Sequence, residues 1–167
     1  MTISISDQEA MSIAEAINDI QATEKQIKNA YHQSIGRAVR LSSNRVAHDI
    51  ANQLGIPLKL IRKRIFVYKT IVTKGSWKIW AGLNDLPIDK LGRPKRIGSD
   101  VVVKGITASN AYITKNGYVR VRESGQRATV EIDEQAENLL QKLLPYYFYQ
   151  YFEKEFRQLL KFKYGVN

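Results

Sequence analysis

Two runs of sequence decide the fold of this chain: GIPLKLIRKRI at residues 55–65 and WKIWAGLNDLPIDKLGRPKRIG at residues 77–98. The first repeats apolar residues at helical spacing with basic residues between them, whereas WKIWAGL has the pattern of a strand. The chain therefore changes from helical to extended structure between the two runs. We expect helices before them and a sheet after them.

The segment before Gly55 is predicted to form two helices. Ser6-Asp7-Gln8-Glu9 matches a capping box, and apolar residues then recur every three or four positions, which predicts one amphipathic helix from about Asp7 to Arg40. Leu41-Ser42-Ser43 interrupts this pattern. A second helix is therefore expected from Asn44 to Leu54, with Gly55 as its carboxyl-terminal cap.

A third helix is predicted from Pro57 to Phe66, because proline suits the first position of a helix. The two short helices joined at LGIP resemble a helix-turn-helix, although any helical corner can use glycine and an apolar residue there. One side of the third helix is apolar. The other side is basic and carries Lys59, Arg62, Lys63 and Arg64.

Short β-branched and aromatic segments follow, which predicts an antiparallel meander of four or five strands. After WKIWAGL these segments are VVVKGIT (101–107), AYITK (111–115), YVRVRE (118–123) and ATVEI (128–132). Asn116-Gly117 predicts a hairpin turn with positive φ at both residues, and Ser124-Gly125-Gln126 predicts a second turn. Alternation places Tyr118, Arg120 and Arg122 on one basic, exposed face of the sheet.

The carboxyl-terminal segment is predicted to form helices on both sides of a proline. Glu134–Leu144 has a helical pattern, and Pro145 is expected to end or kink it. The helix after Pro145 is predicted to bury Tyr149, Phe152, Phe156, Leu159 and Leu160. Its remaining tyrosines are too many for one internal face, so we predict a protein interface that includes Tyr146, Tyr147 and Tyr151.

These elements predict a single α+β domain over residues 1–167. Residues 1–55 form a helical scaffold, 56–127 the basic helix and antiparallel strands, and 128–167 the last strand and the carboxyl-terminal helices. The expected architecture is a set of amino-terminal helices, a small antiparallel sheet or partial barrel, and a carboxyl-terminal helix packed across it.

Composition argues against most enzyme classes. The chain has no cysteine and two histidines, which excludes disulfides, thiolate metal sites and thiol nucleophiles. No phosphate-binding loop or serine-nucleophile motif is present, and Asp85 and Asp89 lie in a turn-forming stretch. We therefore expect no enzymatic activity, no cofactor and no metal. No apolar run is long enough for a bilayer, so no membrane partner is expected.

The net charge of +10 arises from the middle of the chain, because residues 56–127 hold sixteen Lys and Arg against four Asp and Glu. This pattern favours an anionic partner, either nucleic acid or an acidic protein surface, but a solvated basic face that only aids solubility stays an alternative. Trp77, Trp80, Tyr112 and Tyr118 interleave with the basic residues; for the tryptophans, a place in the core or at a subunit boundary is favoured. The candidate anion-facing or DNA-facing residues are Lys59, Arg62, Lys63, Arg64, Arg93, Lys95, Arg96, Arg120 and Arg122.

Several of these motifs together resemble the minor tail protein Z family of tailed phages and prophages. The matching residues are Asn44-Arg45-Val46-Ala47, the basic segment from Leu58 to Ile65, the run NDLPIDKLG at residues 84–92, and the helix after Pro145. The NDLPIDKLG run is the most diagnostic. The basic stretch after it is short in this chain.

The resemblance implies a structural role in tail completion at the head-proximal end of a phage tail. It implies localisation in the virion tail after synthesis in the cytoplasm of the bacterial host, with no enzymatic activity and no cofactor. The implied partners are other tail proteins, the tail tube or its terminator. Homo-oligomerisation, with Trp77, Trp80 and the tyrosines of the last helix as interface residues, is expected as well. The alternative is a nucleic-acid-binding protein that uses the basic 57–66 helix, and non-specific DNA contact is compatible with either role.

Overall fold

The structure, a computed structural model, describes residues 2–5, 24–69 and 77–164. The capping box at Ser6–Glu9 and the predicted helix up to residue 23 lie outside the described residues. The described chain combines long helices with short antiparallel strands, so the predicted α+β class is confirmed. Two compact units are present: residues 1–82 with 137–167, and residues 83–136. The prediction of a single domain stays a prediction.

Helix α1 (Glu24–Gln53) runs without a break through Leu41-Ser42-Ser43, so the predicted interruption at these residues is wrong. Both serines are buried, and each hydroxyl donates a hydrogen bond to the Val39 carbonyl, Ser42 at 3.1 Å and Ser43 at 2.7 Å. These bonds to the preceding turn satisfy the hydroxyls inside the helix, and the helix can therefore continue.

Helix α2 (Leu58–Arg62) is one turn long, and the residues after it form strand β2 (Ile65–Lys69). The predicted 57–66 helix is therefore wrong in its second half. Strand β2 pairs along its whole length with strand β3 (Trp77–Ala81), which adds ladder hydrogen bonds that a longer helix would forfeit. Long-range pairing thus overrides the helical spacing of the local sequence, and IFVYK is also rich in strand-forming residues.

A three-stranded antiparallel sheet forms around β3, with strand β1 (Thr2–Ile5) on one side and β2 on the other. The predicted strand at WKIWAGL is confirmed over Trp77–Ala81. Ile79 and Ala81 are buried on one face of this sheet. Lys78 and Trp80 alternate with them and therefore lie on the opposite face.

Helix α3 (Asp133–Tyr164) continues through Pro145, so of the two outcomes predicted for this proline, an end or a kink of the helix, the end is wrong. Proline removes the hydrogen bond to the carbonyl of Gln141, but both residues lie on an exposed side of the helix, where water can satisfy that carbonyl. The predicted buried face of this helix is wrong at one position, Tyr149. Phe148 is buried whereas Tyr149 is 38% exposed; Phe152, Phe156, Leu159 and Leu160 are buried as expected.

Gly36 gives a test of the packing between α1 and β3. A Cβ atom at this position would lie 2.8 Å from Cζ2 of Trp77. Alanine normally stabilises a helix by about 1 kcal/mol over glycine, but here the methyl group would displace the indole ring. We therefore expect Gly36→Ala to lower the free energy of unfolding by about 1–2 kcal/mol, measured by urea unfolding. Asn29→Ala on the exposed side of α1 is the control, and a stabilised Gly36→Ala protein would contradict this packing.

The second unit contains three small antiparallel sheets. The predicted single meander of four or five strands is therefore wrong. Strands β5 (Lys95–Ile97), β6 (Asp100–Val103) and β7 (Ile106–Ala108) form one sheet, β8 (Ala111–Ile113) pairs with β9 (Val119–Val121), and β4 (Leu86–Pro87) pairs with β10 (Thr129–Val130). A 3-10 turn at Ile88–Lys90 follows β4. Val101, Val103, Ala111, Val119 and Ile132 contribute to the buried core of this unit.

Two hairpin turns differ from the prediction. The segment predicted as one strand at 101–107 reverses at Lys104-Gly105, where both residues have positive φ, 48° and 83°. These values fit the type I′ turn that was expected at Asn116-Gly117 instead. At the latter position a turn is present, but only Gly117 has positive φ, and its N–H bonds to the Thr114 carbonyl at 2.9 Å. The turn is therefore one residue longer than predicted.

Candidate functional site

The strongest candidate site in the first unit is the outer face of the three-stranded sheet. Phe66, Tyr68 and Trp80 are 52%, 45% and 42% exposed. Phe66 is the register partner of Trp80, and Tyr68 is the partner of Lys78. Alternation along the strands therefore places all three aromatic side chains on one side of the sheet. We call Phe66, Tyr68 and Trp80 the aromatic face.

Trp80 is held in the aromatic face by contacts on both sides. Its ring centroid lies 5.6 Å from that of Phe66, with the two ring planes tilted by 36°. A Cβ atom at Gly82 would lie 2.5 Å from Cη2 of the indole, so the ring covers the backbone where glycine leaves space. The aromatic face is therefore an ordered surface built by adjacent strands.

An ordered group of exposed rings of this kind is typical of a binding surface. Isolated apolar residues are common on protein surfaces, but contiguous aromatic side chains mark sites that bind protein partners or other ligands. Sequence reasoning identified Trp80 and missed Phe66 and Tyr68, because both were assigned to a helix or to the segment after it. The alternation in IFVYK is the signal that could have found them.

The two tryptophans have different surroundings. Trp77 is half-buried, with its ring close to Gly36 and the Arg40 guanidinium 5.4 Å above the ring centroid. Trp80 lies on the exposed aromatic face. Trp77 thus belongs to the packing against α1, and of the two predicted interface tryptophans only Trp80 presents an exposed ring.

The basic residues of the first unit are not equivalent. Lys59, Arg62 and Lys63 are exposed. Arg64 is partly buried, and its Nη1 donates to the Gly82 carbonyl at 3.4 Å. The first three are accessible to an anionic partner, whereas Arg64 also connects the end of α2 to the end of β3.

In the second unit, the predicted anion-facing residues are exposed, but several also bond within the unit. Arg96 Nε donates to the Gly98 carbonyl at 3.0 Å, and Arg120 Nη1 donates to the Gly125 carbonyl at 2.5 Å. The Arg122 guanidinium lies 5.5 Å from the Tyr112 ring centroid. Arg93 and Lys95 are exposed as well. The alternation that predicted an exposed basic face on β9 therefore agrees with the structure.

The tyrosines of α3 are divided between internal contacts and the surface. Tyr147 donates a hydrogen bond from its hydroxyl to Asp49 at 2.7 Å, and Arg45 stacks on its ring at 5.7 Å. Tyr151 is half-buried, whereas Tyr146 is 56% exposed. Of the three predicted interface tyrosines, Tyr146 therefore offers the most accessible ring, and Tyr147 contributes to packing between α1 and α3.

Asp89, from the NDLPIDKLG run, forms an ion pair with Arg127. Arg127 Nε donates to Oδ1 at 2.9 Å and Nη2 donates to Oδ2 at 2.5 Å, while the guanidinium covers the Tyr118 ring at 4.3 Å. The Asp89 side chain is 5% exposed and that of Arg127 is 32% exposed. The local sequence gives no sign of Arg127 as a partner of Asp89, because the two residues are 38 positions apart.

The electrostatics of Asp89 favour the ionised form of its carboxylate. Burial raises the pKa of Asp89, but the hydrogen bonds and positive charge of Arg127, together with a backbone hydrogen bond from Val119, outweigh it and hold the pKa below its ordinary value. Asp85 accepts a hydrogen bond from the Thr129 hydroxyl at 3.3 Å. Both aspartates thus stabilise the turn between β4 and its neighbours, and the lowered pKa of Asp89 is the opposite of what a general acid needs.

Within residues 2–5, 24–69 and 77–164, no group of three or more acidic or histidine side chains is arranged to hold a metal ion. No helix in the described parts of the chain is both long and apolar enough to cross a bilayer. The class of site that the geometry defines is an exposed aromatic surface on a β-sheet. Comparison with family models, curated proteins and solved structures finds no match for this chain.

Proposed function

We propose that this chain is a structural minor tail protein of a tailed phage or prophage, which acts in tail completion by docking on a neighbouring tail protein. The observation that supports docking best is the aromatic face, three adjacent rings each more than two-fifths exposed. Burying such rings against a partner removes apolar area from water at about 25 cal/mol per Å². The resemblance of NDLPIDKLG and its flanking motifs to the minor tail protein Z family supports the tail as the place of docking.

A binding experiment with serine variants tests the aromatic face. The partners are the purified tail-tube and tail-terminator proteins of the same phage or prophage. We expect Phe66→Ser and Trp80→Ser each to weaken the complex by about tenfold or more, because buried aromatic residues at interface centres are typical hot spots. Affinity is measured by calorimetry or surface plasmon resonance, and circular dichroism verifies that each variant is folded.

Phe162→Ser is the matched control, since Phe162 is 81% exposed in the same unit but lies on α3. Its affinity for the tail protein should be unchanged. Equal losses for Phe162→Ser and Trp80→Ser would indicate general adhesion and contradict a specific docking surface. Failure of the native chain to bind either tail protein, or to restore infectious particles in a strain that lacks it, would contradict the proposed function.

Homo-oligomerisation is part of the same proposal. Ring-forming assemblies use heterologous contacts that close by rotation, and such contacts need complementary surfaces on one subunit. Tyr146 and Trp80 are the exposed predicted interface residues available for them. Light scattering at several protein concentrations measures the average mass of the particles in solution. If the aromatic face binds a second copy, we expect Trp80→Ser to lower that mass.

Nucleic-acid binding is the second candidate, favoured by the exposed basic residues of both units. The helix predicted to bind nucleic acid, residues 57–66, is shorter in the structure. Helix α2 has five residues, which is too short for the recognition helix of a helix-turn-helix. The remaining form of this candidate is non-specific phosphate contact through Lys59, Arg62 and Lys63. Such binding should fall steeply with salt concentration and show little sequence preference, whereas docking to a tail protein through aromatic rings should persist at moderate salt.

A further inference from the structure

A cavity of about 140 Å³ lies between α1, α2 and β2, on the opposite side of β2 from the aromatic face. Ala47, Ile65 and Val67 supply its apolar walls, while Arg40, Asn44 and Arg62 supply polar groups. The apolar residues are buried or half-buried, and Arg40, Asn44 and Arg62 are exposed. Ser43 also lines the cavity; it is buried, and its hydroxyl is already bonded to the Val39 carbonyl. The cavity therefore has apolar walls inside and a charged rim where it meets solvent.

The two rim arginines leave their charge available to a ligand. Among the described residues, no carboxylate lies within 4.0 Å of either guanidinium, whereas Arg37, Arg45, Arg127 and Arg157 all have such a partner. Arg40 lies over the Trp77 ring at 5.4 Å, and the ring is itself confined by Gly36. Stacking restricts the guanidinium without using its N–H donors, so these can bond to an anion.

We propose that this cavity binds a carboxylate carried on a short apolar stem, the chemistry of a glutamate side chain presented by a partner protein. The carboxylate would bond to Arg40 and Arg62 at the rim, and the stem would contact Ala47, Ile65 and Val67. A guanidinium matches a carboxylate in planar hydrogen-bond geometry, and the two rim arginines together attract an anion. The inference rests on the proposed function only for the source of the carboxylate, a tail protein; the ligand class follows from the cavity.

The shape of the cavity favours this ligand over a nucleic-acid phosphate. A polynucleotide places its phosphates along a continuous backbone and is bound by basic stripes or grooves that follow it. The cavity is a local concavity with apolar walls, and its volume is far above the about 10–15 Å³ that one water molecule needs, so a stem of a few carbon atoms fits. Phosphate offers no apolar part to contact these walls.

Titration with butyrate tests the ligand class, because butyrate is a carboxylate on a three-carbon stem. The chain contains two tryptophans, so Trp80→Phe leaves Trp77 as the only indole, next to Arg40. In the Trp80→Phe variant, we expect butyrate at constant ionic strength to cause a saturable change in Trp77 fluorescence. Butyramide, which has the same shape without the charge, should cause none. Inorganic phosphate and a single-stranded oligonucleotide should give a weaker response than butyrate.

Glutamine variants assign the response to the cavity. We expect Arg62→Gln to weaken butyrate binding by about tenfold, the usual cost of one charge-assisted hydrogen bond. Lys59→Gln is the matched control, because Lys59 is an exposed cation of the same helix that does not line the cavity. A binding constant unchanged in Arg62→Gln, no saturable response, or an equal response to butyramide would overturn the proposal. A response to phosphate alone would overturn it in favour of a phosphate site.

The two proposals can fail separately. If butyrate binds but no tail protein does, the proposed function is wrong and the ligand class of the cavity stands. If tail proteins bind equally to the native chain and to Arg62→Gln, while Trp80→Ser abolishes binding, docking through the aromatic face stands and the glutamate-bearing partner is excluded.

Discussion

Phe152→Ala is expected to lower the free energy of unfolding by about 3–5 kcal/mol, the range for deleting a buried phenylalanine side chain. Phe152 is fully buried and stacks between Phe148 and Phe156, with ring centroids 5.8 and 5.7 Å away. The Tyr31 ring of α1 meets it edge-on at 5.7 Å. Alanine would remove contacts on both sides of the ring and leave a cavity in the packing between α1 and α3.

Urea unfolding followed by circular dichroism measures this effect, and Tyr149→Ala is the control. Tyr149 belongs to the same helix and was predicted to be buried, but it is 38% exposed and touches the Phe148 ring only edge-on. We expect its replacement to cost less than about 1.5 kcal/mol, the upper value for such an aromatic pair. If Tyr149→Ala cost as much as Phe152→Ala, the predicted burial of Tyr149 would be correct and its observed exposure wrong.

Arg127→Ala is expected to lower the free energy of unfolding by about 3 kcal/mol at neutral pH. Removing one partner of a buried ion pair costs about 3–5 kcal/mol, and the lower end applies here because the Arg127 side chain keeps 32% exposure. The variant would leave the Asp89 carboxylate, 5% exposed, without its two guanidinium hydrogen bonds. It would also uncover the Tyr118 ring.

The pH dependence gives this prediction a definite sign. In the native chain the pKa of Asp89 is lowered, so its ionised form contributes stability above the ordinary aspartate pKa of about 3.9, and this contribution is lost as pH falls through the folded pKa. Without Arg127, the hydrogen bonds and charge that lower the pKa of Asp89 against its burial are lost, so ionisation of this carboxylate contributes less stability at neutral pH. The stability difference between the native and variant proteins should therefore shrink from pH 7 to pH 3.

Chemical denaturation at a series of pH values measures that difference. Arg122→Ala is the control, because Arg122 is exposed beside β9 and stacks on Tyr112, and no carboxylate of the described residues lies within 4.0 Å of its guanidinium. We expect a small, pH-independent change for it. The double variant Asp89→Asn with Arg127→Gln should recover part of the loss, since it removes the unpaired buried charge. A stability difference independent of pH in Arg127→Ala would exclude the ion pair as the cause.

The amino-acid sequence by itself determined the α+β class, the strand at Trp77–Ala81 and most of the buried positions of the last helix. These features depend on local periodicity, because apolar residues repeating every three to four or every two positions can bury one face only as a helix or a strand. The sequence also indicated that WKIWAGL and the basic segment before it are central to the protein. The role of these two segments in docking stays a proposal.

Tertiary structure alone decided where elements begin, end and pair. Ile65–Lys69 leaves its helical pattern to pair with β3, and α3 continues through Pro145. The candidate sites share this dependence. The aromatic face requires the register of Phe66 with Trp80, the cavity requires α1 beside β2, and the Asp89–Arg127 pair joins residues far apart in sequence. Each arises because partners distant along the chain supply hydrogen bonds or burial that outweigh local propensity, and those partners cannot be identified from the residues next to them.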